Sequence, residues 1–141
     1  MRLVLILFAT AIIVTIGFAV ITPRSDVARL AQSSDVERGA KIFRRCQACH
    51  ALEINKKLSG PSLANVINRP SGALSGYRYS APMAKRDVVW DTATLTLFLT
   101  KPREFVPGTK MGFAGISDPD EVVDLLAFLT AKAGVYTAPS Q

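Results

Sequence analysis

The chain has 141 residues, of which 49% are apolar, and a formal net charge of +6 at pH 7. This length has room for one compact domain, and two cysteines are too few for a disulfide-rich scaffold. The values exclude a multidomain enzyme, a polytopic membrane protein and a disordered acidic tail.

The apolar excess lies at the N-terminus. Residues 3–22 carry no charged side chain, and 16 of these 20 residues are apolar. A helix of this length spans about 30 Å, the thickness of a bilayer core. We predict a signal-anchor transmembrane helix over residues 1–22, although cleavage after Ala19 as a signal peptide is the alternative. Either reading implies export, with residues 23–33 as a polar linker.

Helix signals begin after the linker. Ser34 and Glu37 have the spacing of a capping box and predict the start of the first main helix. Asp91 can cap a second helix, which Pro102 is expected to end.

A third helix start is the clearest of the set. Asp118 is placed as the N-cap, with Pro119 at the first helical position and Glu121 as the partner in a capping box. Gly134 is expected to end this helix, because glycine readily adopts the backbone conformation that follows a last turn.

Long stretches between these helices, residues 59–81 and 102–117, are rich in Gly, Pro, Ser and Asn. No alternating strand pattern is present, so the expected fold is all-α, with a domain over residues 34–135 and a tail over residues 136–141. Loops of this length in so small a domain suggest that a buried prosthetic group organises them.

Residues 46–50, CQACH, form the attachment pattern of a c-type haem. Cys46 and Cys49 are spaced so that both thiols can add to the vinyl groups of one porphyrin, and His50 is then directed at the iron. A redox dithiol, a zinc site and a disulfide are weaker readings. No strand precedes the motif, His50 is the only histidine, and a disulfide leaves that histidine unexplained.

The second axial ligand is expected to be a methionine, since no other histidine or cysteine exists. Met1 lies in the apolar segment, and Met83 is expected to fill the core. Met111 lies in residues 107–115, PGTKMGFAG, where proline and glycines permit a loop to approach a flat group closely. We therefore predict Met111 as the ligand.

With these motifs in order, the chain from about residue 34 to 133 resembles a class I cytochrome c of the mitochondrial and alphaproteobacterial kind. The resemblance rests on Gly39, Phe43, residues 46–50, residues 60–63 (GPSL), Arg69, residues 76–79 (GYRY), Trp90, the Met111 segment, Leu125 and Phe128. It implies three main helices, with short helices and loops, around one covalent haem c. It also implies that Gly39 and Phe43 of the first helix contact Leu125 and Phe128 of the last.

The resemblance also implies roles for single residues. The carbonyl of Pro61 is expected to accept a hydrogen bond from the proximal histidine. Arg69, Tyr79 and Trp90 are expected to hold the haem propionates, and Thr109 to form a hydrogen bond inside the haem crevice.

Four positions depart from the family pattern. Phe98 replaces a tyrosine whose hydroxyl lies near the methionine sulfur, and Met83 replaces a small polar residue. Glu104 and Asp118 put negative charge where some relatives have lysine, which limits how complete a basic docking ring can be.

A haem iron with both axial positions filled has no open coordination site, so the sequence predicts a one-electron carrier and not an enzyme. The expected partners are a quinol:cytochrome c oxidoreductase and cytochrome c oxidase or a reaction centre. The expected location is the bacterial inner membrane, with the haem domain on the periplasmic side. A soluble periplasmic shuttle is the alternative, and a haem peroxidase or sensor with displaceable Met111 is a further one.

The basic charge is expected to steer acidic partners toward the haem edge. Arg45, Lys56, Lys57, Arg103 and Lys110 are near the haem motifs in sequence and are the candidates. A nucleic-acid partner is not expected for an exported haem domain, and the protein is expected to be a monomer.

Overall fold

Helices joined by turns and long loops form the part of the chain that the structure describes. The computed structural model describes residue 32, residues 35–56 and residues 58–137. Its helices are α1 over residues 35–43, α2 (Ala81–Ala84), α3 (Thr92–Thr100), α4 (Pro102–Phe105) and α5 (Pro119–Ala133). Within the described ranges there is no β-strand, only two isolated bridges. The all-α prediction is confirmed for these residues.

Helices α1 and α5 cross in contact at Gly39. A Cβ atom on Gly39 would overlap the backbone carbonyl of Asp124 and lie 2.7 Å from the Cβ of Phe128. One turn further along α1, the rings of Phe43 and Phe128 have centroids 5.1 Å apart. The expected pairing of the first and last helices is therefore present, and only a residue without a side chain permits so close a crossing.

Ion pairs join α5 to α1 and to the backbone turn after α1. Arg38 donates two hydrogen bonds to the Asp124 carboxylate, at 2.7 Å and 2.9 Å, and also pairs with Asp35. Arg45 pairs with Glu121 at 2.5 Å. Glu121, which the sequence pattern assigns to a capping box, thus has a partner from another part of the chain.

The other predicted features of α5 are found at its two ends. The Asp118 carboxylate accepts a hydrogen bond from the backbone N–H of Asp120 at 2.9 Å, and Pro119 is the first helical residue. The helix ends at Gly134, which has φ +82°. Local residue chemistry therefore sets both ends of this helix.

Helix α3 begins where the sequence places it. The Asp91 carboxylate accepts a hydrogen bond from the Thr94 N–H at 2.7 Å. Pro102 ends α3 as expected and is also the first residue of α4. Helix α3 packs against α4 and α5. Its buried side chains are Leu95, Phe98 and Leu99.

The segment after α4 returns across the end of α3. The Ile116 N–H donates to the Leu99 carbonyl at 2.9 Å, and Ile116 is almost fully buried. Gly115 has φ +108°, and a Cβ there would overlap the carbonyl of Thr100. The C-terminal end of the loop that carries Met111 is thereby fixed to α3.

Several predictions concern residues outside this description. These are the transmembrane helix over residues 1–22, the linker over 23–33 apart from residue 32, the cap at Ser34, the basic side chain of Lys57 and residues 138–141 of the tail. Among the described residues, no helix has the length and apolar character to cross a bilayer.

Candidate functional site

All nine residues that the sequence analysis selects line one cavity. They are Cys46, Cys49, His50, Pro61, Arg69, Tyr79, Trp90, Thr109 and Met111. The cavity has a volume of about 390 Å³ and opens to solvent. The residues that share it come from segments 65 positions apart, so the fold brings the motifs together as the resemblance implies.

The two cysteines and the histidine lie on tight backbone turns directly after α1. The N–H groups of Cys49 and His50 both donate to the Cys46 carbonyl, at 3.0 Å and 2.9 Å. Cys46 is half-buried and Cys49 is exposed. Burial raises the pKa of the Cys46 thiol, while the charge of Arg45 acts in the opposite direction. Cys46 is therefore neutral at physiological pH, and both thiols border the cavity.

His50 is held in one orientation. Its Nδ1 donates a hydrogen bond to the Pro61 carbonyl at 2.7 Å. Burial lowers the pKa of His50, against the effect of this hydrogen bond, and Arg69 lowers it further. A neutral ring with a proton on Nδ1 keeps the lone pair of Nε2 available for a metal.

Gly60 leaves the space that the His50 ring occupies. A Cβ on Gly60 would lie 2.6 Å from the ring carbon Cε1 and 2.8 Å from Nδ1. The Gly60 N–H donates to the Cys49 carbonyl at 2.8 Å, which holds the two ends of this loop together. The GPSL motif therefore supplies both the space and the acceptor for the histidine.

Two buried donors without partners lie at the polar part of the lining. Arg69 is 5% exposed and donates to the carbonyls of Ala64 and Ser62 at 2.9 Å and 3.0 Å, but its Nε has no partner among the described residues. The Ser80 hydroxyl is also buried and finds no partner in the same part of the chain. Unpaired buried donors are costly, so this part of the cavity is suited to acidic groups on a ligand.

The pKa shifts of Arg69 and Tyr79 also show that this part of the lining is buried. Burial lowers the pKa of Arg69, and burial raises the pKa of Tyr79 although the Arg69 charge opposes this. Sequence reasoning missed Ser80. In the sequence, only its position directly after Tyr79 points to the site. Its burial depends on the path of the folded chain, which no local pattern indicates.

Trp90 lies at the apolar side. Its backbone pairs with the segment that carries Arg69, since the Trp90 N–H donates to the Arg69 carbonyl at 3.0 Å. Its ring is 5.0 Å from that of Phe98, which also lines the cavity. Phe98 brings no hydroxyl, so this part of the wall is apolar.

The Met111 segment forms another part of the wall. The Met111 N–H donates to the Thr109 hydroxyl at 3.2 Å, and the Thr109 N–H donates to the Val106 carbonyl at 3.0 Å. Thr109 thus supports the loop through both its hydroxyl and its backbone N–H. Met83 also lines the cavity, and its sulfur accepts a hydrogen bond from the Ser71 hydroxyl at 3.3 Å.

The cavity therefore has the features that a c-type haem requires. Two thiols and an oriented imidazole border it, the Met111 thioether lies in the lining, and ten Leu, Val, Phe and Trp side chains form the apolar part of the wall. The buried donors of Arg69 and Ser80 match a group with acidic substituents. The residues present fit the group that the sequence predicts.

The predicted basic residues have different surroundings. Arg45 lines the cavity but is paired with Glu121, and Lys56 is paired with Glu53 at 3.4 Å. Lys110 lines the cavity opening and donates to the Arg78 carbonyl at 3.2 Å. Part of the positive charge is therefore at the cavity, and part of it is balanced by carboxylates.

Comparison with known proteins places these features in a family. The family model described as "Cytochrome c" matches residues 36–132. A cytochrome c2 iso-2 of Magnetospirillum fulvum is 45% identical over 87 residues, which are 62% of this chain and 91% of the relative. Cytochrome c 2.1 of Caenorhabditis elegans is 39% identical over 102 residues, 72% of this chain and 92% of the relative.

Solved structures give the same result for the fold. The structure of cytochrome cH from Methylobacterium extorquens superposes with a TM-score of 0.65 and is 41% identical. The match covers 70% of this chain and 99% of the other.

Proposed function

This chain belongs to the cytochrome c family, and from that premise we propose that it carries electrons between a quinol:cytochrome c oxidoreductase and a terminal oxidase or reaction centre. Members of the family are electron-transfer proteins and not enzymes, and they bind one covalent haem c through the cysteine pair, here Cys46 and Cys49. The proposal adds the axial ligands, the partners and a membrane tether.

The observation that carries the proposal is the presence of His50 and Met111 in the lining of one cavity. An iron with two protein ligands has no position for oxygen or substrate, so the bound haem supplies reversible one-electron chemistry. Thioether ligation raises the reduction potential relative to two histidines, which suits a carrier that accepts electrons from a quinol-oxidising complex.

The protein contributes orientation and the exclusion of water. The Pro61 carbonyl holds the Nδ1 proton of His50, so the ring keeps one tautomer in both oxidation states. Arg69 provides buried positive charge, and the apolar wall keeps the local dielectric low. A rigid site of this kind changes little in geometry when its charge changes.

The ligand assignment is tested by absorption spectroscopy of the oxidised holoprotein. The Met111→Leu variant is expected to lose the weak charge-transfer band that an iron–methionine bond produces at the red end of the visible spectrum. Met83→Leu is the matched control, since it removes the other thioether of the cavity lining, and it is expected to keep the band. A band that survives in Met111→Leu and disappears in Met83→Leu would reverse the assignment.

The partner assignment is supported by the charge at the cavity opening, where Lys110 is exposed. Electron transfer from a detergent-solubilised quinol:cytochrome c oxidoreductase is expected to slow as ionic strength rises, because salt screens attraction to acidic partners. Lys110→Gln should weaken that salt dependence. Rates that are independent of salt would count against electrostatic docking.

The tether is supported by the uncharged residues 3–22. We expect the haem to stay in the membrane fraction after a high-salt and alkaline carbonate wash of bacterial membranes. Mass spectrometry of the mature N-terminus decides between anchor and cleaved signal peptide. A mature chain that begins after Ala19 would establish the soluble periplasmic shuttle.

A further inference from the structure

Arg86 has an unusual environment for an arginine near the surface. It is half-buried, and its guanidinium carbon lies 4.4 Å from the centre of the Phe105 ring. Its Nε is buried and has no hydrogen-bond partner among the described residues. An unpaired buried donor is unfavourable, so the position of this guanidinium over the ring indicates a specific cation–π contact.

Phe105 connects this contact to the cavity wall. Its ring is 6.3 Å from that of Trp90 and 6.1 Å from that of Phe98, and both of these rings line the cavity. Phe105 is the last residue of α4 and directly precedes Val106, which is 1% exposed and starts the loop that carries Met111. The position of Phe105 therefore fixes where this loop begins.

The segment that carries Arg86 contacts the same loop at two more points. The Lys110 ammonium donates to the Arg78 carbonyl at 3.2 Å, and a Cβ on Gly108 would lie 3.0 Å from Cγ of Pro82. Residues 78–86 thus run along residues 105–110. The opposite end of the loop is held separately, through Ile116 and α3, so Arg86 secures the N-terminal end.

We propose that Arg86 is a positioning residue for Met111. It holds Phe105 in place, and through Phe105 it sets how easily the Met111 loop yields its place at the iron to a small competing ligand. This inference rests on the proposed ligation by Met111.

Imidazole is the probe, because it must displace the methionine to bind the oxidised holoprotein, and its binding is followed in the visible spectrum. Arg86→Met keeps an apolar stem over the ring and removes the charge, and it is expected to bind imidazole about 3- to 30-fold more tightly. Arg86→Lys, which keeps the charge without the planar group, should lie between wild type and Arg86→Met. Arg44→Met, at an exposed arginine on the backbone turn after α1, is the matched control and is expected to match wild type.

A double-mutant cycle with Phe105→Leu tests whether Arg86 acts on the Met111 loop through Phe105. Once Phe105 is absent, Arg86→Met should change imidazole affinity little further, since the two effects share one contact. Equal imidazole affinity in Arg86→Met and wild type would overturn the proposal, as would additive effects of the two substitutions. A fall in the thermal midpoint alone, with unchanged imidazole affinity, would show that Arg86 is only structural.

The two proposals fail in different ways. Absence of the iron–methionine band in the wild-type protein would remove the Met111 ligation itself. Presence of the band, with no response of imidazole affinity to Arg86→Met, would remove only the role of Arg86.

Discussion

Arg69 illustrates how single residues of this domain depend on the cavity. The residue is 5% exposed, and within the described residues its guanidinium faces no carboxylate and bonds only to two backbone carbonyls. A positive charge in such a position favours the oxidation state of the site that carries one more electron.

Arg69→Met is therefore expected to lower the reduction potential of the holoprotein. For a one-electron couple, each 1 kcal/mol of lost interaction corresponds to about 40 mV. The measurement is potentiometric titration, with Arg44→Met as the control because Arg44 is exposed on the backbone turn after α1. A potential that falls equally in both variants would mean that only overall charge matters.

Tyr79 gives a prediction for alkaline pH. Burial raises the pKa of this phenol, so between its unfolded value near 10 and its folded value the native state holds a proton that the unfolded state has released. Its contribution to stability is complete below pH 10 and is lost as pH rises through the folded pKa. Tyr79→Phe should therefore lose less stability than wild type between pH 10 and 12, as measured by denaturant unfolding. An identical loss in both proteins would contradict the shift.

At the scale of helices, the crossing of α1 and α5 tolerates no side chain at Gly39. Gly39→Ala forces the helices apart against the Asp124 carbonyl and is expected to cost about 2 kcal/mol or more, despite a better helix propensity. For a domain of this size the thermal midpoint should fall by about 10 °C. Lys41→Ala, at an exposed position of α1, is the control and should stay within about 0.5 kcal/mol of wild type. A Gly39→Ala protein as stable as wild type would show that the crossing can relax.

The helices whose ends depend on local chemistry could be predicted from the sequence. Asp91, Asp118 and Gly134 set helix ends through their own side chains or backbone freedom, and the structure has them where the pattern indicates. Glu121 could not be predicted in the same way, because its partner is Arg45, 76 positions away along the chain. The sequence pattern also does not predict the short helix α4, because Pro102 signals the end of α3 and gives no separate sign that it starts the next turn.

The residues of the candidate site also fall into those that a local pattern predicts and those whose contacts depend on the tertiary fold. The CQACH motif, GPSL and the Met111 segment carry their chemistry in short stretches, so the sequence was enough to select them. The buried Ser80 hydroxyl and the contact of Arg86 with Phe105 depend on how residues 78–86 fold back onto α4 and the loop after it. No local sequence pattern predicts either of these two features.

At the scale of the whole molecule, an unfilled cavity of this size would be costly, because a small domain has a low free energy of unfolding. A cavity of about 390 Å³ that opens to solvent leaves its apolar wall in contact with water when no group fills it. The total stability of a typical domain is only about 5–15 kcal/mol. The bound group is therefore part of the hydrophobic core.

The Cys46→Ala/Cys49→Ala chain, which has no thiol for attachment, is accordingly expected to lose most of its helical signal at 25 °C. Far-ultraviolet circular dichroism against the wild-type holoprotein measures this. Cooperative thermal unfolding of the variant with native helical content would show that the polypeptide can close its core alone.

The positions of the cavity residues along the chain also set an order of assembly. The thiols are supplied by residues 46–49, whereas Leu125 and Leu129, which line the cavity, belong to the last helix. At ordinary rates of synthesis these two regions leave the ribosome roughly 4–15 s apart. The attachment motif is therefore made before the helix that closes over it, so α5 is the last element needed to complete the interior around the bound group.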